Sequence, residues 1–167
     1  MILYLYILIN KKYIKLFLIY FSFDMFSKLF ETKYKKLTFE DIQFIIQYPD
    51  QYVIINTMDI KEQDCLIKYT VPYQMEEKIV NDLIANCEFR KKIVVYGKNA
   101  NDESVEKKYK HLIGFGFLEV YLYVGGMFEW MLLQDIYGKD EFPTTAKVLD
   151  ILRYKPARMF GNRYLEY

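Results

Sequence analysis

From Lys36 onward the chain alternates between stretches of helical periodicity and short, unbroken apolar runs. Thr38 is followed three residues later by Asp41, and Leu37 is placed to contact Ile42, which predicts a helix N-terminus with Thr38 as cap. Phe39, Ile42, Ile45 and Ile46 then share one helical face, and Pro49-Asp50 ends the helix. Tyr52-Val53-Ile54-Ile55-Asn56 is a short continuous apolar run, the pattern of a strand buried on both faces. After a loop rich in Asp, Lys and Glu, Lys68-Tyr69-Thr70-Val71-Pro72 predicts a second, shorter strand. Ile79, Leu83 and Ile84 give helical spacing from Glu76 to Cys87. Lys92-Ile93-Val94-Val95-Tyr96 is the cleanest strand pattern in the chain. It runs into Gly97 and a polar loop, Lys98-Asn99-Ala100-Asn101-Asp102, with Asn101 or Asp102 able to cap a helix from Glu103 to Ile113. Gly114 and Gly116 close that helix. A strand from Phe117 to Val124 follows, and Gly125-Gly126 turns the chain into Met127-Phe128-Glu129-Trp130-Met131-Leu132-Leu133.

Strands alternating with helices across short loops predict an α/β fold, with a parallel or mostly parallel sheet covered by helices on both faces. Ligand sites in such sheets lie at the carboxyl ends of the strands, so the loop after Tyr96 is the candidate site. Trp130 and Phe128 are expected to pack under the sheet.

Residues 1–35 form an apolar extension with a different pattern. Met1 to Ile9 is wholly apolar, Asn10-Lys11-Lys12 interrupts, and a second apolar stretch from Tyr13 to Phe23 contains Lys15 and stops at Asp24. Neither stretch reaches the roughly 18–20 apolar residues of a spanning helix. A signal peptide would carry its positive charge first and a small-residue cleavage site afterwards. Three readings stand: a membrane-surface or anchor segment through residues 1–23, a helix packed on the domain, or leader read-through with Met25 as the true start.

Lys and Arg number 23 against 22 Asp and Glu, so net charge does not announce a nucleic-acid surface, and none is predicted. The 17 Tyr and 13 Phe belong to a composition encoded by AT-rich codons and are not read as a base-stacking surface. Two cysteines, Cys65 and Cys87, and a single histidine, His111, supply no disulfide framework and no metal-ligand pattern, so no metal or cofactor is expected. Cys87 is read as a buried structural thiol and His111 as a surface or half-buried side chain. The default setting is reducing and cytoplasmic, with membrane association through the N-terminus as the alternative.

The run from Ile93-Val94-Val95-Tyr96 through a polar loop and helix to Gly116-Phe117, then Val120-Tyr121-Leu122-Tyr123-Val124-Gly125-Gly126 and Trp130, resembles the second half of a rhodanese-like domain. Residues 36–145 follow the order of that family, with Leu37 to Ile46 as its opening helix, Ile54-Ile55-Asn56 as its Asp-ended strand, and Leu66 to Pro72 as its His-Ile-Pro-Gly-Ala segment. The resemblance implies a three-layer sandwich with a mostly parallel central sheet of about five strands. It also implies a nucleophilic cysteine directly after Tyr96, where this chain has Gly97, and a basic residue late in the loop, where Asp102 and Glu103 stand. Asn56 replaces the strand-end Asp, and Met58 falls where Arg is common. A sulfurtransferase or related phosphatase needs a thiolate among backbone N–H groups at a helix N-terminus, and Gly97 supplies none. The expectation is therefore a catalytically inactive domain acting as a binding or regulatory module for an unidentified protein or peptide. Its degenerate loop is Gly97, Lys98, Asn99, Ala100, Asn101, Asp102 and Glu103, and its fold motif is Gly125, Gly126 and Trp130. The alternative is residual sulfurtransferase or phosphatase activity through Cys65 or Cys87. Residues 146–167 add a basic and aromatic extension, read as docked on the domain. In this ending the chain resembles related domains predicted in large DNA viruses, which would imply a source of that kind.

Overall fold

The computed structural model describes residues 34–160. The three readings of the N-terminal extension, and the last seven residues of the chain, lie outside that range. The architecture is three layers. Four strands, β1 (Lys36–Leu37), β2 (Tyr52–Asn56), β3 (Lys92–Tyr96) and β4 (Val120–Tyr123), form one sheet in the order β1-β4-β3-β2. Every pair is parallel, with Val53 opposite Ile93, Ile93 opposite Val120 and Lys36 opposite Leu122. Helices α1 (Phe39–Gln47), α2 (Tyr73–Ala85), α3 (Ser104–Gly114) and α4 (Gly126–Tyr137) cover it.

The apolar runs are continuous because both faces of the sheet are buried. Ile54, Val94, Tyr96 and Tyr123 point to one side, where Ile42, Ile45 and Ile46 of α1 meet Met127, Trp130 and Met131 of α4. Val53, Ile55, Ile93, Val95, Val120 and Leu122 point to the other, against Val80 and Leu83 of α2 and Val105, Tyr109 and Leu112 of α3. Trp130 is fully buried, edge-on to Phe142 at 4.9 Å, while Phe128 is only partly covered. At the start of α1, the Thr38 N–H donates to Asp41 Oδ2 at 2.9 Å, so the sequence signature there reflects a real contact.

Several expected boundaries move. The sheet has four strands and not about five: the segment from Lys68 to Pro72 is not one of them, and β1 takes the edge beside β4. Tyr69 has φ +66°, and Thr70 donates both its N–H (3.1 Å) and its hydroxyl (2.7 Å) to the Ile67 carbonyl, making a tight turn. Only single bridges remain, Ile54 with Thr70 and Ile67 with Thr144. The edge strand β1 was not anticipated; it is two residues long, too short to leave a pattern. The strand expected from Phe117 narrows to Val120–Tyr123, since Gly116 at φ +100° still belongs to the turn after α3. Helix α2 begins three residues before Glu76, at Tyr73, straight after Pro72, whose fixed φ suits a helix entry.

Cys87 is exposed, not buried. It follows α2 with φ +57°, its N–H donating to Ile84 O, and the Glu88 N–H reaches Leu83 O at 2.8 Å. This is a Schellman-type ending whose left-handed residue turns its side chain outward.

The chain beyond Thr145 folds back onto the domain. Thr145 exchanges two hydrogen bonds with Leu66, through its N–H to Leu66 O (2.8 Å) and its hydroxyl from Leu66 N–H (3.0 Å). A 3-10 turn, Ile151–Tyr154, then lies against α4 and seats Tyr154 in the core with no exposure. No described helix is long and apolar enough to cross a membrane.

Candidate functional site

The carboxyl ends of β2 and β3 open into a cleft of about 530 Å³. Its walls come from three places. Thr57, Met58, Asp59 and Glu62 follow β2; Lys98, Asn99, Asn101, Asp102 and Ser104 follow β3; Lys155 and Ala157 come from the C-terminal segment. The loop singled out by sequence is therefore one wall. The tail, expected from the sequence to dock on the domain and to be a contact area, forms another, while the segment after β2 and Ser104 complete the site without having been marked. Only their apposition in space reveals them.

Gly97 is buried at the end of β3. Its carbonyl accepts the Met127 N–H at 2.9 Å, and the Lys98 carbonyl accepts the Phe128 N–H at 3.0 Å, so the loop satisfies two of the free amides that open α4. This close approach explains the Gly-Gly motif. Gly126 has φ +64°, and a Cβ there would meet Gly97 O at 2.6 Å and Asn99 N at 2.9 Å. Both are backbone atoms and cannot swing aside. A Cβ on Gly125 would strike the Glu129 side chain. Trp130, the third element of the motif, donates its indole N–H to Pro143 O at 3.3 Å and anchors α4 beneath the loop.

The centre of the loop is held by Asp102. Its Oδ2 accepts the Lys98 N–H at 2.8 Å, and its Oδ1 accepts the Ser104 N–H at 3.0 Å. Ser104 Oγ lies 2.5 Å from Asp102 Oδ1 and 2.6 Å from Thr57 Oγ1. A carboxylate only accepts, so the single Ser104 proton goes to Asp102 and Thr57 supplies the proton between the two hydroxyls. Asp102 thus does what the sequence proposed for a cap, but to the first residue of α3, with Glu103 at the N-cap position and exposed. Asn99 is buried and ties the loop in two directions. Its Oδ1 accepts the Asn101 N–H (3.0 Å), and its Nδ2 donates to the Tyr154 carbonyl (2.8 Å). Ala100 and Asn101 face solvent.

The carboxylate occupies space as well as donors. A Cβ at position 97 would lie 2.3 Å from Asp102 Oδ2 and 2.5 Å from Val105 Cγ2. The charge balance of the cleft is Asp59, Glu62 and Asp102 against Lys98 and Lys155, and Lys98 is paired with Glu62. An incoming anion would meet amides already engaged by a carboxylate. Ser104 has a carboxylate partner but no imidazole, since His111 is exposed on α3 in a separate groove with Glu76 and Glu77.

The cysteines lie elsewhere. Cys65 is fully buried, its thiol donating to Ala146 O at 3.1 Å, and burial pushes its pKa up, which disfavours the thiolate. Cys87 is on the far end of α2, outside the cleft. Tyr96, the last residue of β3, points to the α1 and α4 side. Its hydroxyl accepts the Ile67 N–H at 3.2 Å and lies 3.0 Å from Thr70 Oγ1; burial raises its pKa well above the usual phenol value. Among the described residues no group of three or more His, Cys, Asp or Glu side chains is arranged to hold a metal ion.

No family model matches the chain, and no curated protein matches it. Solved structures do match. A thiosulfate sulfurtransferase from Pseudomonas aeruginosa superposes with a TM-score of 0.50 at 17% identity, over 61% of this chain and 19% of that one. The Alr3790 protein from Anabaena sp. gives 0.47 at 20% identity, over 69% and 96%. The rhodanese-like domain of that Anabaena protein gives 0.40 at 24%, over 57% and 81%. At these identities the likeness is one of fold. The fold is rhodanese-like, a parallel sheet between two helical layers.

Proposed function

We propose that this chain is a non-catalytic rhodanese-like module that binds a protein or peptide partner at the cleft beyond β2 and β3. The observation that carries the reading is the place of Asp102. In a cysteine-dependent enzyme of this fold the loop amides would face an anion bound beside a thiolate. Here the chain's own carboxylate takes the Lys98 and Ser104 amides, and its oxygen stands 2.3 Å from where a side chain on Gly97 would begin. A loop that had merely lost its cysteine would keep an open cradle. This one has been refilled, which supports a domain whose loop now presents a polar surface, with Ala100, Asn101 and Glu103 exposed at its rim. The proposed setting is the cytoplasm, where Cys65 and Cys87 stay as free thiols.

The test has two arms. Thiosulfate:cyanide sulfurtransferase and phosphatase activity are measured on the wild type and on a Cys65→Ala, Cys87→Ala double variant. The expected result is no turnover that depends on either cysteine; such turnover would replace this proposal with a displaced-nucleophile enzyme. In the second arm, a partner recovered with the wild-type chain is re-tested against Asn101→Arg and Glu103→Arg, both at exposed positions. Loss of binding is expected, and undiminished binding would move the interaction off the loop.

A further inference from the structure

The C-terminal segment reads as a ligand that the chain carries for itself. Beyond Thr144, Tyr154 is the one described side chain that is fully buried, while Leu149, Met159 and Phe160 are each 87% exposed. A tail that simply extended the core would bury its large side chains together. This one inserts a single aromatic completely, rests Val148 and Ile151 half-buried against the same core, and leaves Leu149, Leu152, Met159 and Phe160 outside. Its polar tethers are those of a bound peptide. The Tyr154 carbonyl accepts from Asn99 Nδ2 of the loop (2.8 Å), and Arg153 bonds Asp64 Oδ2 (2.8 Å) and the Lys61 carbonyl (3.4 Å). Lys155 enters the cleft wall that also carries Asp59 and Glu62. The receiving surface after β2 is acidic (Asp59, Glu62 and Asp64 against Lys61), and the segment it holds is basic. The fit is imperfect inside the slot, where the Tyr154 hydroxyl has no hydrogen-bond partner. A buried orphan hydroxyl opposes the seated state, and the partly exposed Arg153–Asp64 pair adds little hold in salt.

From the slot, the tethers and the charge match, we infer that the surface formed by the Asp59–Asp64 segment and Asn99 is a peptide-docking slot for an aromatic residue flanked by basic residues, filled in cis by Arg153-Tyr154-Lys155. A partner segment of the same chemistry competes with the tail, so the tail regulates access to the cleft. The inference rests on the reading of this end of the sheet as a binding site, and it names both the recognised chemistry and the regulation.

Two measurements on the full-length chain decide it. In hydrogen exchange, the amides of residues 147–157 are expected to open without β3, with protection at least about a hundredfold below that of residues 92–96. If the tail exchanges only together with β3 at every denaturant concentration, it is an integral part of the core and the inference is wrong. In the second, a labelled peptide spanning Asp150–Arg158 is titrated into wild type and Tyr154→Ala. It should bind the variant about tenfold or more tightly than wild type, whose slot is occupied, and the same peptide with Tyr154→Ala should not bind. A variant that keeps native Trp130 fluorescence yet shows no saturable binding overturns the proposal. If Tyr154→Ala fails to fold, Arg153→Glu replaces it, since that change lies outside the core. Reversing the charge beside Asp64 and Glu62 should lower protection of residues 147–157 severalfold at low ionic strength, and unchanged protection there counts against the slot. Failure here with loss of partner binding in Asn101→Arg would refute the slot while leaving the binding module intact.

Discussion

Placing a methyl group on Gly97 is the sharpest test of the loop's architecture. In Gly97→Ala the new Cβ would sit 2.3 Å from Asp102 Oδ2 and 2.5 Å from Val105 Cγ2. The carboxylate must withdraw, giving up the Lys98 and Ser104 amides at 2.8 and 3.0 Å. Hydrogen bonds to a buried charged acceptor contribute about 1.5–3 kcal/mol each, and at this half-exposed site about 1–1.5 each, so about 2–3 kcal/mol for the pair. Crowding Val105 adds about 1 kcal/mol. The single variant should therefore lose about 3–4 kcal/mol, a large part of an ordinary domain's stability. Asp102→Ala removes the same hydrogen bonds without the clash and should cost about 2–3 kcal/mol. The double variant then loses the bonds only once, keeps the Val105 contact, and should cost about 3–4 kcal/mol. Simple addition would give about 5–7, so the cycle carries a coupling of about 2–3 kcal/mol. Urea unfolding followed through the fluorescence of Trp130, the one tryptophan and fully buried, measures all three. A Gly97→Ala variant within about 1 kcal/mol of wild type, or an additive double variant, would show that Asp102 does not fill the cradle.

Three shorter tests address other elements. Cys87 holds a left-handed conformation at φ +57°, so Cys87→Gly should stabilise the protein by about 0.5–1 kcal/mol in the same urea titration. Native protein should react with a thiol reagent at Cys87 at once and at Cys65 only as fast as the domain opens, read by mass spectrometry of the labelled peptides. Alkali should destabilise the fold early. Burial, chiefly, pushes Tyr154 up to about 12, and the hydrogen bond to Glu119 pushes Tyr121 up to about 12, while Tyr96 and Tyr123 are driven higher by burial. Each folded value lies above the unfolded value near 10, so the folded state holds more protons above that pH. Stability is intact below about pH 10 and falls as pH rises toward 12, by up to roughly 1.4 kcal/mol per pH unit for each of the buried Tyr96, Tyr123 and Tyr154 and by much less for the partly exposed Tyr121, whose pair with Glu119 is screened by solvent. Thermal unfolding midpoints across this range, with phenolate absorbance, check the sign; a flat profile would contradict it.

Much of the fold was legible because it rests on local patterns. The runs Val53-Ile54-Ile55 and Ile93-Val94-Val95 are apolar throughout, since alternate side chains enter opposite helical layers, and a parallel sheet buried on both faces writes that pattern into the chain. The periodicity of Ile42, Ile45 and Ile46 marked α1, and the end of β3 marked the site, because parallel strands deliver their loops to one edge. Gly125, Gly126 and Trp130 were visible as a motif, although their reason, the approach of α4 to the Gly97 carbonyl, was not.

What the tertiary structure alone decided involves partners far apart in the chain. Lys68 to Pro72 has strand composition, yet Thr70 turns back onto Ile67 and meets Tyr96, 26 residues away. Ser104 carries no signal until Thr57, 47 residues away, lies beside it. Tyr154 reads as one more aromatic in a basic tail until Asn99 holds its carbonyl across 55 residues. In sequence Gly97 was read as standing where the resemblance places a cysteine, and Asp102 as a cap. In space Asp102 fills the place that a side chain at 97 would take, because a loop closing on its own amides brings residues five apart into contact. Local propensity lays down the strands and helices; the contents of the site depend on which distant side chains the packed layers press together.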